Sequence, residues 1–210
     1  NAMFLPLTGI YEPSAIQQLP DGRFLIVEDE KDHPFSLVKI DPDGGVSSAP
    51  LRPGLFNAFD SFWKLDDLEG IALDRSKNIY AITSHSRDGD GDEKKSRSKL
   101  VRFRIEGDHV VAPSVVKGLK SALLKAHPVL ETASEIRDVK ADGGFNIEAM
   151  EISTDQQRLL LGFRSPLLDH RAIIASVENP AAMFDADEPP RISAILITLD
   201  LGGNGIRGMS

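Results

Sequence analysis

The sequence predicts an all-β protein: a β-propeller or partial propeller of repeated three- to four-stranded blades with short helical insertions. Three observations predict it. The stretch from Asp67 to Arg87, DLEGIALDRSKNIYAITSHSR, reads as two adjacent strands, GIAL and IYAI, split by a polar turn and closing on a polar and basic tip. The same pattern recurs in both directions. Shifted forward by 79 residues it falls on NIEAMEISTDQQRLLLGFRS, with Glu69 on Glu148, Ile71 on Met150, Ile82 on Leu161 and His85 on Arg164. Shifted back by 55 it places Ile71 on Ile16, Ile82 on Val27 and His85 on Glu30. Each copy is followed by a third apolar strand (LVKI, LVRFRI or AIIASV), and a fourth piece is clearest as HVVAPSVV and RISAILITLD. Repeated units of this size are the signature of propeller blades. The runs FLIV, IYAI and LLL do not alternate with polar residues, which suits blades buried on both faces. The uneven spacing leaves a meandering β-sandwich as the alternative.

Taken in order, Asn1 and Ala2 ahead of Met3 read as a cloning scar, and FLPLTGIYEPS lacks the basic start and long apolar core of a secretory signal. Residues 4–60 are blade one and a rim segment, with PDG and DPDGG as hairpin turns. The stretch LRPGLFNAFDSFWKLDD, which crosses from this unit into the next, carries Phe56, Phe59, Phe62 and Trp63 at helical spacing, which predicts a short helix packed on the propeller rim. Residues 61–142 are blade two and a helical insertion. Between its second and third strands lies RDGDGDEKKSRSK, where Asp88, Asp90 and Asp92 alternate as in the first half of a calcium loop. The glycine after the third aspartate and the distant bidentate glutamate are missing, so a solvated hairpin tip neutralised by the following lysines and arginines is expected. Leu119, Leu123 and Ala126 mark one amphipathic face and Leu130, Ala133 and Ile136 another, with Pro128 at the boundary. This helical excursion either lids one mouth of the propeller or covers an apolar blade edge. Residues 143–205 are blade three, including a second excursion, ENPAAMFDADEPP. Residues 206–210 align with the start of a fourth blade, Ile206 on Ile147 and Arg207 on Glu148. Propellers close with about four to eight blades, so the rest of the ring is expected from sequence beyond this chain or from another chain.

A net charge of −8 argues against a nucleic-acid backbone as partner, because phosphate binding takes a basic face. No apolar run is long enough to span a membrane. Without cysteine there is no disulfide, thiolate metal site or cysteine nucleophile, and a cytoplasmic location is the simplest reading.

In a propeller the innermost strand of each blade lines the channel, and equivalent positions form a ring. Position one of the repeat supplies Ser14, Glu69, Glu148 and Arg207; the second-strand tip supplies Glu30, His85 and Arg164, with Arg87 close behind. In a functional reading Glu69 and Glu148, with His85, are acid and base, or the two glutamates are oxygen ligands to a divalent cation (calcium, magnesium or manganese). Arg87, Arg164, Asn146 and Arg207 then hold an anionic ligand such as a phosphate or carboxylate. In a structural reading the same glutamates accept backbone hydrogen bonds and pair with arginines, locking blade to blade. His33, His109, His127 and His170 stand outside any metal-ligand spacing.

The segments DLEGIALD, ITSHSR, LVRFRIEG, FNIEAMEIS and LLLGFRSPLLDHRAIIASV resemble the motifs of a bacterial family recorded as a domain of unknown function and predicted to be propeller-like. The resemblance covers Asp66 to Met209 and implies a fold, not an activity. Through E-G-I-A and N-I-E-A the chain is also similar, more weakly, to phytase-like esterase propellers and to the gluconolactonase and regucalcin group. There an acidic residue on an inner strand binds a divalent metal. That likeness implies Glu69 or Glu148 as the matching ligand, while the remaining ligands and the catalytic aspartate have no counterpart here. Three functions follow as expectations: a scaffold binding a small anionic molecule or a protein partner, a metal-dependent hydrolase of phosphoesters or lactones, or a structural module of a larger assembly.

Overall fold

The structure is a computed structural model that describes residues 7–29, 33–54 and 60–210; Glu30, Phe56 and Phe59 lie outside the described residues. Strands β1 (Pro13–Gln18), β2 (Phe24–Glu28), β3 (Phe35–Ile40) and β4 (Val46–Pro50) form an antiparallel sheet in chain order. Its hairpins turn at Gly22 and Gly44, whose φ values of 88° and 87° only glycine adopts without strain. Strand β5 (Arg52–Pro53) then leaves this sheet, and helix α1 (Asp60–Trp63) follows. Strands β6 (Leu68–Leu73), β7 (Ile79–Thr83), β8 (Leu100–Glu106) and β9 (His109–Val116) make the second antiparallel sheet, which β5 extends by pairing parallel to β9. After helices α2 (Leu119–Ala126), α3 (Pro128–Ser134) and α4 (Val139–Asp142) comes the third sheet: β10 (Asn146–Ile152), β11 (Leu159–Ser165), β12 (Ala172–Val177) and, beyond helix α5 (Pro180–Asp185), β13 (Ile197–Leu199).

The middle sheet explains the unbroken apolar runs. Every residue of β7 is buried. Ile79 and Ala81 pack toward the first sheet among Leu25, Val27 and Phe35, while Tyr80 and Ile82 pack toward the third among Leu161 and Phe163. Burying a side chain of this size stabilises by about 1.5–3 kcal/mol, so a strand apolar on both sides is what a sheet sandwiched between two others needs. Phe62 of α1 is buried at 5.5 Å from the Phe103 ring, closing the first of these layers. Leu119 and Leu123 of α2 and Leu130 and Ala133 of α3 add to the second. Pro128 separates α2 from α3, occupying a first turn where its missing N–H costs nothing.

The first strands of the three sheets, β1, β6 and β10, lie side by side, and each sheet runs outward from them. Repeated four-stranded meanders sharing an inner ring of first strands are the blades of a propeller, here three blades forming a partial ring. Gly70 permits the closest approach: a Cβ there would stand 2.8 Å from the Met150 amide nitrogen. Ile206 packs on the face of the third blade turned away from the second, against Ala149, Ala172 and Ile174, and its N–H donates to the Phe163 carbonyl at 2.9 Å.

Candidate functional site

Each inner strand breaks register at the same repeat position. The shift falls between Pro13 and Ala15 in β1, between Leu68 and Gly70 in β6, and between Ile147 and Ala149 in β10. The residue skipped is Ser14, Glu69 or Glu148. A β-bulge leaves its extra residue out of the ladder and re-aims the side chain, and bulges gather beside functional sites. These three residues and Arg207 line one cavity of about 250 Å³ between the inner strands. Glu69 and Glu148 also line a larger cavity of about 460 Å³ at the strand tips, together with Asp67, Arg87, Asn146 and Arg164. The two glutamates therefore stand where channel and mouth meet.

Their surroundings differ. Glu148 is buried, and its Oε1 accepts from Arg164 Nη1 at 2.8 Å and from Asn146 Nδ2 at 3.2 Å. Asn146 spends its donor on this contact. Its Oδ1 is buried and has no hydrogen-bond partner among the described residues. Glu69 is half-buried, with neither an ion pair nor a hydrogen bond to its carboxyl among the described residues. Burial and the nearby carboxylates of Asp67, Glu148 and Asp29 push its pKa up to about 8, against the opposing pull of Arg97. A carboxyl in that state is largely protonated at neutral pH and donates a hydrogen bond instead of carrying a charge. Asp67 has its own partner in Arg97, which also reaches Ser86 Oγ at 2.8 Å and Asp66 at 3.9 Å.

The structure does not bring every sequence-predicted residue to this place. His85, aligned with Arg164, is 1 % exposed and lines neither cavity. Its backbone sits at φ 55°, and its Nδ1–H donates to the Thr83 carbonyl at 2.9 Å. Burial, with Lys120 adding to it, lowers its pKa to about 4, so the ring is neutral at physiological pH. Arg87 does line the mouth, with part of its guanidinium committed: Nε donates to Ser134 O at 3.0 Å and Nη1 to Gly91 O at 3.2 Å. Asp88 caps its own turn by accepting from the Asp90 and Asp92 amides at 3.0 and 2.9 Å. Lys94 then pairs with Asp88 and Arg137 with Asp92, both at 3.2 Å. The loop is thus closed by backbone donors and cations.

Among the described residues no three His, Asp or Glu side chains group so as to hold a metal ion. Glu148 and Asp67 are held by arginines and Asp29 accepts from the Asp67 amide, so among the described residues of the mouth Glu69 alone offers a carboxyl without a partner, and the arrangement does not fit a metal gripped by carboxylates. Asp29 and Arg97 carry no signal in the repeat pattern, and Asp67 is legible there only as part of the acidic entry to its strand. Asp29 precedes Glu30 and Asp67 lies two residues before Glu69, so each stands near a predicted ring position without occupying one.

No family model matches the chain, and no curated protein matches it. Among solved structures it is similar to the holo form of the pyranose dehydrogenase PQQ domain from Coprinopsis cinerea, at 14% identity and TM-score 0.45, over 83% of this chain and 35% of that one. It is also similar to Kuenenia stuttgartiensis hydrazine synthase, at 12% identity and TM-score 0.44, over 96% of this chain and 39% of that one. A protein from Lactobacillus plantarum follows at 8% identity and TM-score 0.38, over 81% and 35%. The chain spans little more than a third of the length of each, and the blade architecture rests on its own strand order and inner-strand packing.

Proposed function

We propose that the chain is a binding module whose propeller mouth takes up a small molecule bearing an anionic group next to a hydrogen-bond donor. The observation that carries this reading is the orphaned Asn146 Oδ1 beside the Arg164–Glu148 pair. A buried acceptor without a partner costs about 1–3 kcal/mol, which a ligand hydroxyl or N–H at that point offsets. Arg164 uses Nη1 for Glu148, and its side chain is 34% exposed, leaving other guanidinium donors for a carboxylate or phosphate. Glu69, protonated at neutral pH, adds a donor without adding a repelling charge.

The test is calorimetric titration with inorganic phosphate, glycolate and glucose 6-phosphate on the wild-type chain and on Arg164→Gln and Asn146→Ala. At least one probe is expected to bind, and each substitution to weaken it about tenfold or more, the loss of roughly one charge-assisted or buried hydrogen bond. Probes that bind both variants as well as wild type, or no binding by any of them, would remove the proposal.

A second reading draws on Glu69 itself. A carboxyl whose pKa is raised to about 8 inside a cavity is poised as a general acid, which suits a hydrolase. Screening phosphoester, ester and lactone substrates with added calcium, magnesium or manganese checks it: turnover unchanged in Glu69→Gln and Glu148→Gln ends this reading.

A further inference from the structure

Strand β13 is the outer edge of the third blade, hydrogen-bonded to β12 on one side only. Edge strands offer unpaired backbone groups, and proteins that stay apart guard them with lysines, prolines or bulges. This edge has neither lysine nor proline, and its one irregularity, a register shift between the Val177–Ile192 bridge and the Ile174–Ile197 pair, lies before β13 begins. The seven residues from Ser193 to Leu199, SAILITL, carry no charge and no proline. Ile195, Ile197, Leu199 and Leu201 are 74%, 42%, 39% and 42% exposed, respectively. Ile197 and Leu199 stand in register with Ile174 and Ala172, so they prolong the apolar face on which Ile206 already packs.

We propose that β13 is the seam of a homodimer, pairing antiparallel with β13 of a second copy about a twofold axis at Thr198. The proposal is independent of what the mouth binds. The sequence around Thr198 is self-complementary in this register. Within β13, Ile197 faces the partner's Leu199, and Ile195 and Leu201, which flank the strand, stand toward each other beyond it, so the bare apolar residues meet across the axis. A register displaced by one residue would turn the stripe onto the wrong face. The charges agree as well. Arg171 Nε donates to Thr198 Oγ1 at 3.2 Å, and Asp200, which accepts from the Gly202 amide at 3.1 Å, follows β13 two residues from the axis. Neither Arg171 nor Asp200 has an ion pair among the described residues. Pairing brings the partner's Asp200 to a diagonal position from Thr198, about 7–8 Å away and within reach of an arginine. The occupant is therefore a second copy, matched in shape, polarity and sign.

The absence of native cysteine makes the test direct. Sedimentation equilibrium of the 210-residue chain in the micromolar range is expected to return twice the 22.9 kDa mass, and Ile197→Lys to return it to monomer. Thr198→Cys places two identical thiols opposite each other at a Cα separation of about 4.5–5.5 Å, which a disulfide spans, so mild oxidation yields a covalent dimer. Ile195→Cys is the control, because its twin lies six residues along the partner strand, about 20 Å away, and stays reduced. A wild-type chain that sediments as a monomer overturns the proposal. So does a dimer that survives Ile197→Lys while Thr198→Cys fails to cross-link, for then the contact lies elsewhere.

Discussion

A half-buried carboxyl and a buried imidazole pull the stability of this protein in opposite directions with pH. Glu69 has its folded pKa raised from 4.5 to about 8. The folded state holds that proton over an interval in which the unfolded state has released it, so the contribution is complete below about pH 4.5 and is lost as pH rises through about 8. His85 has its folded pKa lowered from 6.5 to about 4. Its contribution is present above pH 6.5 and is lost as pH falls through about 4. Urea unfolding across this range is expected to show maximal stability between the two limbs. Glu69→Gln should flatten the alkaline limb and raise stability at its upper end by about 1 kcal/mol, a figure discounted for the partial exposure of the group. The acid limb should remain. Parallel curves for wild type and Glu69→Gln would mean that Glu69 ionises normally in the fold. The alignment of His85 with Arg164 shows why neither state was legible beforehand. Arg164 lies within β11 while His85 stands two residues past the end of β7, where its positive φ accompanies a ring buried in the protein, and no spacing rule reports that.

At the scale of the element, the inner strands depend on how closely their backbones approach. The glycine of the E-G-I-A motif reads in sequence as one more repeat residue. Its reason emerges only between β6 and β10, where a Cβ on Gly70 would stand 2.8 Å from the Met150 amide nitrogen and 3.0 Å from Ile82 Cγ2. Backbone cannot yield as a side-chain tip can, so Gly70→Ala should destabilise the fold by about 1–3 kcal/mol in urea titration. Gly208→Ala, with nothing within 4 Å of its Cβ, should stay within about 0.5 kcal/mol of wild type. Equal midpoints for the two would sink this account of inner-strand packing. The helical excursion was more legible: the heptad-like spacing and Pro128 mark α2 and α3, because amphipathic period and proline geometry are local properties. The short pairing of Arg52–Pro53 with β9 left no such trace, since two residues carry no period.

For the whole molecule, the exposed large apolar side chains divide between the first and third blades. Leu7, Tyr11, Ile16 and Ile40 lie in or before the first sheet, and Ile195, Ile197, Leu199 and Leu201 in or beside β13. The middle blade, covered on both faces, contributes none among the described residues. Ile206 closes part of the outer face of the third blade. At 5% exposure, and packed against Ala149, Ala172 and Ile174, it should lose about 2–4 kcal/mol of stability on replacement by alanine. Ile16→Ala, at 61% exposure, should cost far less, and chemical denaturation of the pair separates the two cases. If Ile206→Ala proved as mild as Ile16→Ala, the last segment would not be part of the fold's core.

From sequence alone came the three blades, the breaks between strands and the alignment of Ser14, Glu69 and Glu148, because apolar runs, turn residues and repeat spacing are written locally along the chain. Tertiary structure decided which aligned side chains converge. One extra residue in each inner strand swings Ser14, Glu69 and Glu148 onto a shared cavity, while a single positive φ withdraws His85 from the same neighbourhood. In a strand, one residue of register reverses the face on which a side chain emerges, and linear spacing does not record on which side of that step a residue falls.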